Sequence, residues 1–327
     1  MLATVHAHFD TSIVGTVFMV LGIILNLAML VGMRYVSLTS RLTVWLFRSQ
    51  VVFDGFGCLL TILIFWVHNI PTQDEVIKAA MCHLWYSQAA YWIAIAFSTC
   101  NLMCITLDRL LATVYCVTYR IYQTRYVVGC SIATFIYGFS IITPTILLVY
   151  YTNGTCETDV RPKFHVAFIT ANLHRPLWAV MYYVLPLIFL IAVNFRVIWH
   201  IRAYYRTHRT SVAPVPELLT TVANQDLFDL HDDQGITQSR SVIKSLTIGT
   251  LTLIATMLLA HSYDCGFYVF GPSLGYAYIV GSNEQLISLL ITSINCLANP
   301  VILALSLPTM RTFIFAQVRK TTRNLKH

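Results

Sequence analysis

Few side chains in this sequence can carry ionic, acid–base or metal chemistry, since only 11% of its 327 residues are charged. Asp54 lies within a long apolar stretch, where an isolated carboxylate must either be protonated or find a cation and hydrogen-bond donors. Asp108 and Arg109 are adjacent at the end of another apolar stretch and can form an ion pair. His261 and Asp264 share a helical face, but no third ligand accompanies them to indicate a metal or catalytic site.

The polar residues expected to surround Asp54 are Ser98, Asn295 and Asn299, which also lie in apolar stretches. A polar side chain inside a membrane is costly unless it faces a partner or water, so these groups are expected to converge. Two interpretations remain open. Asp54 is either ionised and shares a cation with these residues, or neutral and merely hydrogen bonded to its neighbours.

The Asp108–Arg109 pair and Pro300 are candidates for moving parts. Arg109 could exchange Asp108 for another partner, which suits a two-state switch, although an ordinary interfacial ion pair has the same residues. Pro300 removes one backbone hydrogen bond beside Asn299, which predicts a bend.

The elements that must position these residues are seven apolar stretches, each long enough to cross a bilayer. About 20 residues at 1.5 Å each span the hydrocarbon core. With 57% apolar residues, the sequence predicts an all-α integral membrane protein, a seven-transmembrane helix bundle in a single domain. The predicted spans are 13–33, 43–67, 83–113, 127–150, 173–201, 242–270 and 285–306.

The distribution of basic residues predicts the orientation in the membrane. Of the 21 Lys and Arg residues, only Lys78, Arg161, Lys163 and Arg175 fall on the side of the amino terminus. Short basic loops stay in the cytoplasm, so the amino terminus is predicted outside and the carboxyl terminus inside a plasma membrane. The net charge of +7 therefore describes a cytoplasmic face next to the lipid bilayer, and nucleic-acid binding need not be invoked.

The loop between spans four and five carries a glycosylation sequon, Asn153-Gly154-Thr155, followed by Cys156. A glycan on Asn153 requires that this loop faces the lumen. Cys82 falls on the same predicted side, at the outer start of span three, so we predict a disulfide between Cys82 and Cys156.

Two cytoplasmic segments flank the predicted spans. Residues 203–240 contain Pro214, Pro216 and an acidic run, which predicts a flexible loop. Its basic start could contact lipid headgroups or a cytoplasmic partner equally well. Residues 307–327 are predicted to form a short amphipathic helix on the inner leaflet and a short tail.

Taken together, the motifs resemble those of the rhodopsin-like (class A) G-protein-coupled receptors over residues 13–318. The order and spacing of the matches carry the resemblance. They are Gly22 through Asn26, Asp54, Cys82, Cys156, Asp108-Arg109-Leu110, Ala112, Tyr119, Pro186, Asn295 through Pro300, Pro308, Arg311 and Phe313.

The resemblance implies a receptor that binds an extracellular ligand, a peptide or a small organic molecule, and promotes nucleotide exchange on a heterotrimeric G protein. It implies that Asp54, Ser98, Asn295 and Asn299 form a sodium pocket, with a sodium ion as the one possible cofactor. It further implies that Arg109 meets the G-protein α subunit, with Asp108 as its resting partner. Pro186 and Pro300 are the implied hinges.

The sequence also departs from the family pattern. Leu110, Asn194 and Leu303 replace tyrosines, and neither Trp nor Pro occurs in the predicted span six. These losses put the usual tyrosine and tryptophan switches in doubt and are typical of a diverged member, for which the flatworm-specific group is our subgroup hypothesis.

Two positions restrict the ligand. Tyr91 stands where the amine receptors of this family carry an aspartate, so a monoamine ligand is not expected. Ser293 stands where opsins carry the lysine that binds retinal, which excludes light sensing through a Schiff base. The candidate ligand contacts are outer aromatic residues, although membrane-interface belts and ordinary packing also explain such residues. They are Tyr91, Trp92, Trp178, Tyr182, Tyr183, Tyr263 and Phe267.

A polytopic transporter or channel is the alternative function. Such proteins are expected to show repeated halves, interrupted helices or several facing ionisable groups at midplane, whereas only Asp54 lies deep in this sequence. An intramembrane enzyme would need a nucleophile–base pair or a metal site within the spans, and the sequence predicts none.

Overall fold

The computed structural model describes residues 2–36, 40–67, 73–147, 149–152, 154–157, 174–211, 226–275, 280 and 282–324. Within these residues, seven helices are long and apolar enough to cross a membrane. Numbered in chain order as spans one to seven, they are Asp10–Tyr35, Arg41–Trp66, Ala89–Val114, Cys116–Leu147, His174–Ala203, Thr247–Phe270 and Asn283–Ser306. The predicted seven-span helical architecture is confirmed.

Apolar side chains cover the outside of the bundle as well as its interior. Val17, Ile24 and Leu259 are 65%, 56% and 74% exposed, respectively. Such a surface suits lipid rather than water, because helices satisfy their backbone hydrogen bonds internally and can present apolar side chains to hydrocarbon. Span three is the most deeply buried of the seven and forms the centre of the bundle.

Span three begins later than predicted, at Ala89 rather than residue 83. The preceding chain forms a short helix, Glu75–Met81, followed by a π-helical turn, Cys82–Tyr86. Gln88 then adopts a left-handed conformation with φ of 57° and separates this turn from the span. A non-glycine residue rarely adopts positive φ, which explains why hydrophobic content alone placed the boundary too early.

Span four differs from its predicted range of 127–150 at both ends. The helix runs from Cys116 to Leu147 and bends at Tyr122, whose φ and ψ are −109° and 18°. The residues before Tyr122 form an amphipathic turn that joins span three to span four. Pro144 lies inside the helix near its end.

Spans five and six continue well beyond the apolar core. The helix of span five includes a π-helical segment, Ala179–Val184, and then extends as Leu185–Ser211. The helix of span six begins at Asp226 and ends at Phe270. Residues 203–211 and 226–240 of the predicted flexible loop are therefore helical, and residues 212–225 lie outside the described residues.

A small hairpin lies at the end of the bundle where span three begins. Strand β1, Tyr150–Thr152, pairs antiparallel with strand β2, Thr155–Glu157, and a disulfide joins Cys156 to Cys82. This confirms the predicted bond. We call this end of the bundle the disulfide end and the opposite end, which carries Asp108 and Arg109, the arginine end.

The hairpin also contacts the short helix through one exposed acidic side chain. The hydroxyl of Tyr151 donates to Glu75 at 2.6 Å, and Lys78 pairs with Glu75 at 2.7 Å. Both hydrogen bonds favour the ionised carboxylate and lower the pKa of Glu75 below its usual value. Asn153, the predicted glycosylation site, lies outside the described residues.

Capping residues fix where the remaining helices begin. The side chains of Ser40 and Ser282 accept hydrogen bonds from the backbone N–H groups of Thr43 and Gln285, three residues on. After span seven, Pro308 starts a further helix, Pro308–Asn324, in agreement with the predicted amphipathic helix. Its Phe313 stacks on Tyr35 of span one, with ring centroids 6.0 Å apart.

Candidate functional site

The structure contains a buried polar cluster around Asp54, which is itself fully buried in span two. The hydroxyl of Ser98 in span three donates to Oδ1 at 2.6 Å, and the amide of Asn299 in span seven donates to Oδ2 at 2.9 Å. The Gln50 amide donates to both carboxylate oxygens, at 3.2 and 3.0 Å. We call Asp54, Gln50, Ser98 and Asn299 the carboxylate cluster.

Gln50 is the member of the carboxylate cluster that the sequence analysis missed. It lies one helical turn before Asp54, and its amide nitrogen also lies 2.7 Å from Ser98 Oγ. Asn101 in turn donates to Gln50 Oε1 at 2.9 Å. The i, i+4 spacing of Gln50 and Asp54 was the available signal, because residues at this spacing share a helix face.

Asn295, which was expected to help complete the pocket, is buried but makes no direct hydrogen bond to Asp54 within the described residues. Its Oδ1 has no hydrogen-bond partner there, and neither has Oδ1 of Asn299. These two orphaned oxygens, with the Asp54 carboxylate and the Ser98 hydroxyl, are the hard oxygen ligands that a sodium ion requires. The residues therefore fit the implied cation, provided that the amide of Asn299 rotates to present its oxygen.

The arginine end contains a second polar group of residues. Arg109 pairs with Asp108 and also donates to the hydroxyl of Thr43 in span two at 2.7 Å. The Thr43 hydroxyl donates to Asp108 at 2.9 Å, and Tyr119 donates to the other oxygen of the same carboxylate. We call Asp108, Arg109, Thr43 and Tyr119 the arginine latch.

The arginine latch ties three elements together. Its residues come from span two, from span three and from the turn before the bend in span four, where the Tyr119 hydroxyl also contacts Ser40. Asp108 is 1% exposed, so its charge is buried and held by these donors. Arg109 Nε has no hydrogen-bond partner within the described residues, which leaves this side chain a donor for another partner.

A third group of residues occupies the half of the bundle nearest the disulfide end. Trp92 meets Trp178 and Tyr182 edge to face, with centroids 4.9 and 5.6 Å apart, and also contacts Tyr91. Tyr182 stacks on His261 of span six at 4.7 Å. We call these five rings the aromatic cluster. Four of the predicted ligand contacts, Tyr91, Trp92, Trp178 and Tyr182, therefore meet at one place.

The other predicted ligand contacts do not join the aromatic cluster. Tyr263 is 42% exposed and stacks on Phe267, on the opposite face of span six from the buried His261 and Asp264. Tyr183 is half-buried. Periodicity explains this separation, because residues 263 and 267 share one helical face and residues 261 and 264 share another.

Both predicted hinge prolines lie within helices of the bundle. Pro186 lies two residues after the π-helical segment Ala179–Val184 of span five, where its missing N–H suits a local change in hydrogen bonding. Pro300 lies inside span seven next to Asn299 of the carboxylate cluster. Each proline therefore lies close to one of the functional groups described above.

Spans five, six and seven contact one another closely towards the arginine end. The hydroxyl of Thr250 donates to Asn194 Oδ1 at 3.3 Å, which joins span six to span five. Gly249 approaches Ser306 of span seven so closely that a Cβ atom on residue 249 would lie 1.8 Å from Ser306 Oγ. Span six is therefore packed against both neighbours in this structure.

One comparison with known protein families gave a match. A family model described as "7 transmembrane receptor (rhodopsin family)" matches residues 25–303, which include the carboxylate cluster, the arginine latch and both cysteines of the disulfide. A search of curated proteins found no match. Membership of the flatworm-specific group stays a prediction.

Proposed function

Since the chain belongs to the rhodopsin family of seven-transmembrane receptors and is thus a G-protein-coupled receptor, we propose how it signals. It binds an extracellular peptide or small organic molecule and promotes nucleotide exchange on a heterotrimeric G protein. The observation that carries this proposal is the arginine latch, because it is a group of buried, exchangeable contacts at one end of the bundle.

The direction of signalling follows from the distribution of charge. Basic residues concentrate at the arginine end, for example in Arg202, Arg206 and Arg311, so we place this end in the cytoplasm of a plasma membrane. The disulfide end then faces outside, where oxidising conditions maintain the Cys82–Cys156 bond and Asn153 can carry a glycan.

Activation must release Arg109 from its resting partners. In the resting arrangement Arg109 is held by Asp108 and Thr43, and span six is closed against Ser306. Outward movement of span six would open the arginine end and offer Arg109 to the G-protein α subunit. A ligand that binds the open arrangement more tightly than the closed one increases the population of the open arrangement. The size of this shift is set by the difference between the two affinities.

We further propose that sodium stabilises the resting state by binding at the carboxylate cluster. Asp54, Ser98, Asn295 and Asn299 would hold the ion, which supplies a positive charge that balances the buried carboxylate. Gln50, Ser98 and Asn299 all donate hydrogen bonds to Asp54, so the carboxylate is arranged as an acceptor, as an ionised group requires.

Nucleotide exchange in a reconstituted membrane tests the proposed function. Purified receptor in lipid nanodiscs is mixed with heterotrimeric G proteins of each major class, and binding of a non-hydrolysable GTP analogue is followed over time. We expect the receptor to accelerate exchange on at least one class relative to empty nanodiscs. A folded receptor, checked by its intact disulfide, that accelerates exchange on none of them would contradict the proposal.

A further inference from the structure

A third buried carboxylate, Asp264, has no role in the signalling steps described above. It lies in span six, one helical turn beyond His261 towards the disulfide end, and is 1% exposed. The hydroxyl of Ser288 in span seven donates to its Oδ1 at 2.6 Å. A carboxylate held at this depth is costly for the fold, which is a reason to look for a function.

Asp264 adjoins the aromatic cluster. It follows His261 of that cluster by three residues, so the two buried side chains lie on the same face of span six, and Tyr268 follows Asp264 by four residues. Tyr268 in turn contacts Trp178, with ring centroids 6.2 Å apart. Aromatic faces attract cations through their quadrupole, so a carboxylate next to several rings is a site suited to an organic ammonium group.

Two buried polar atoms in the same region lack a partner. The hydroxyl of Tyr182 and Nδ1 of His261 are each buried without a hydrogen bond within the described residues, although their rings are stacked at 4.7 Å. Native proteins rarely leave such atoms unpaired, because a buried polar group without a hydrogen bond destabilises the fold. A ligand with a hydroxyl or other polar group would satisfy them.

The rim of this region also contains hydrogen-bonded contacts between elements. His174, at the start of span five, contacts the hydroxyl of Tyr268 and lies 3.3 Å from that of Thr145 in span four. Gln88 and Gln285 join spans three and seven through their amides. Entry of a ligand from the disulfide end would separate these contacts, so binding and movement of the spans are coupled.

We propose that Asp264, with the aromatic cluster, binds an alkylammonium group on an aromatic stem that carries an additional hydrogen-bonding group. The proposal rests on the proposed receptor function and names the chemical class of its ligand. The ammonium pairs with Asp264, the stem packs among Trp92, Trp178 and Tyr182, and the polar group meets the Tyr182 hydroxyl or His261. The sequence led us not to expect a monoamine, because Tyr91 stands where the amine receptors carry their aspartate, and Tyr91 bonds to Ser293 at 3.0 Å. In this proposal the carboxylate comes from span six instead, so an amine is again a candidate ligand.

Direct binding to the receptor in nanodiscs, without G protein, tests this inference. Radiolabelled phenethylamine represents a free amine, and the amide of the tripeptide Phe-Gly-Gly represents a peptide amino terminus. We expect at least one of the two to bind saturably with a Kd of about 10 mM or below. The Kd of its N-acetylated, neutral form should be at least about tenfold higher. If neither probe binds, the proposal is overturned.

Substitution of Asp264 gives the residue-specific arm of the test. Asp264→Asn keeps the shape of the side chain and removes its charge, so affinity for the bound probe should fall at least about tenfold. Asp264→Glu keeps the charge and should retain part of the parent's affinity. Glu75→Gln, which removes an exposed carboxylate at the same end of the bundle, is the matched control and should bind as the parent does. Equal affinity of the parent and a folded Asp264→Asn variant would overturn the proposal.

The hydrogen-bonding group is tested with a second probe pair. The parent should bind 2-amino-1-phenylethanol more tightly than phenethylamine, and Tyr182→Phe should reduce that preference. An unchanged preference in Tyr182→Phe and in His261→Phe would refute the role of these two atoms. Binding without any nucleotide exchange would leave this inference standing and count against the proposed function, so the two failures are distinguishable.

Discussion

At the scale of single residues, hydrogen-bond donors from neighbouring side chains stabilise the buried carboxylates. Asp54 accepts from Gln50, Ser98 and Asn299, and Asp108 accepts from Arg109, Thr43 and Tyr119 in the arginine latch. Removal of one donor leaves a buried acceptor without its partner, which costs more than an average hydrogen bond contributes. Variants that remove a donor at constant shape therefore test these assignments most cleanly.

The first prediction concerns Gln50. Gln50→Leu should destabilise the protein by about 1–3 kcal/mol, because Asp54 loses the amide that bonds to both carboxylate oxygens. Asn295→Leu is the control, compared in sodium-free buffer because Asn295 is a proposed ligand of the ion. Among the described residues Asn295 makes no hydrogen bond to Asp54, so this variant should be tolerated better. Apparent Tm in detergent is the measurement, and equal losses in the two variants would contradict the assigned role of Gln50.

A second prediction concerns sodium. If the ion binds at the carboxylate cluster, sodium chloride should raise the apparent Tm of the parent more than potassium chloride at equal ionic strength. Asp54→Asn removes the only charge in the cluster, so the difference between the two salts should disappear. A parent that responds equally to both salts would favour a neutral carboxyl, and a persistent difference in Asp54→Asn would place the ion elsewhere.

The third prediction concerns Thr43. Thr43→Val keeps the side-chain shape and removes the hydroxyl that bonds both Arg109 and Asp108. The resting state should lose about 0.5–1.5 kcal/mol of stabilisation relative to the active state. Basal nucleotide exchange should therefore rise about two- to tenfold. Thr113→Val is the matched control, because that hydroxyl bonds only to backbone carbonyls of span three. Equal basal rates in the two variants would refute the restraining role of Thr43.

At the scale of elements, the helices were predictable and their contacts were not. Apolar length predicted all seven spans, because each must cover the same hydrocarbon thickness. The break at Gln88 and the bend at Tyr122 were missed, since they depend on backbone conformation that hydropathy does not report. The Cys82–Cys156 disulfide was found because few cysteines lie outside the apolar stretches.

The carboxylate cluster was predictable only in part for a similar reason. Ser98 and Asn299 were identified as polar residues in apolar sequence, whereas Gln50 lies close to the predicted start of span two and gave a weaker signal. Asn295 was expected to help complete the pocket around Asp54, and among the described residues it makes no direct hydrogen bond to that carboxylate. Sequence places a residue at a depth in the membrane, while helix rotation decides which neighbour it meets.

The contact between spans six and seven gives a prediction at this scale. Gly249→Ala would force Ser306 to move, because the added Cβ overlaps its hydroxyl, so span six should be displaced from span seven. We expect the free energy of unfolding to fall by about 1–3 kcal/mol, which would be seen as a lower apparent Tm, and basal nucleotide exchange to rise. Gly266→Ala, on the same helix with nothing within 4 Å of its Cβ, should be neutral or slightly stabilising.

At the scale of the whole molecule, the proposed coupling between the two ends of the bundle must work without the usual tyrosine switches. Asn194 and Leu303 occupy two of their positions, and Asn194 instead bonds to Thr250 across spans five and six. Leu303 is 1% exposed and packs as an ordinary core residue. With fewer polar contacts to hold Arg109 in the active arrangement, we expect signalling of low efficacy that still depends on this arginine.

The most direct test of the central claim is nucleotide exchange by Arg109→Ala. In nanodiscs with the G protein that the parent activates best, the variant should lose exchange while it retains binding of the extracellular probe and its disulfide. The arginine is then needed for coupling rather than for folding or ligand recognition. If Arg109→Ala supports exchange at the rate of the parent, Arg109 does not meet the G protein, and the proposed coupling mechanism is wrong.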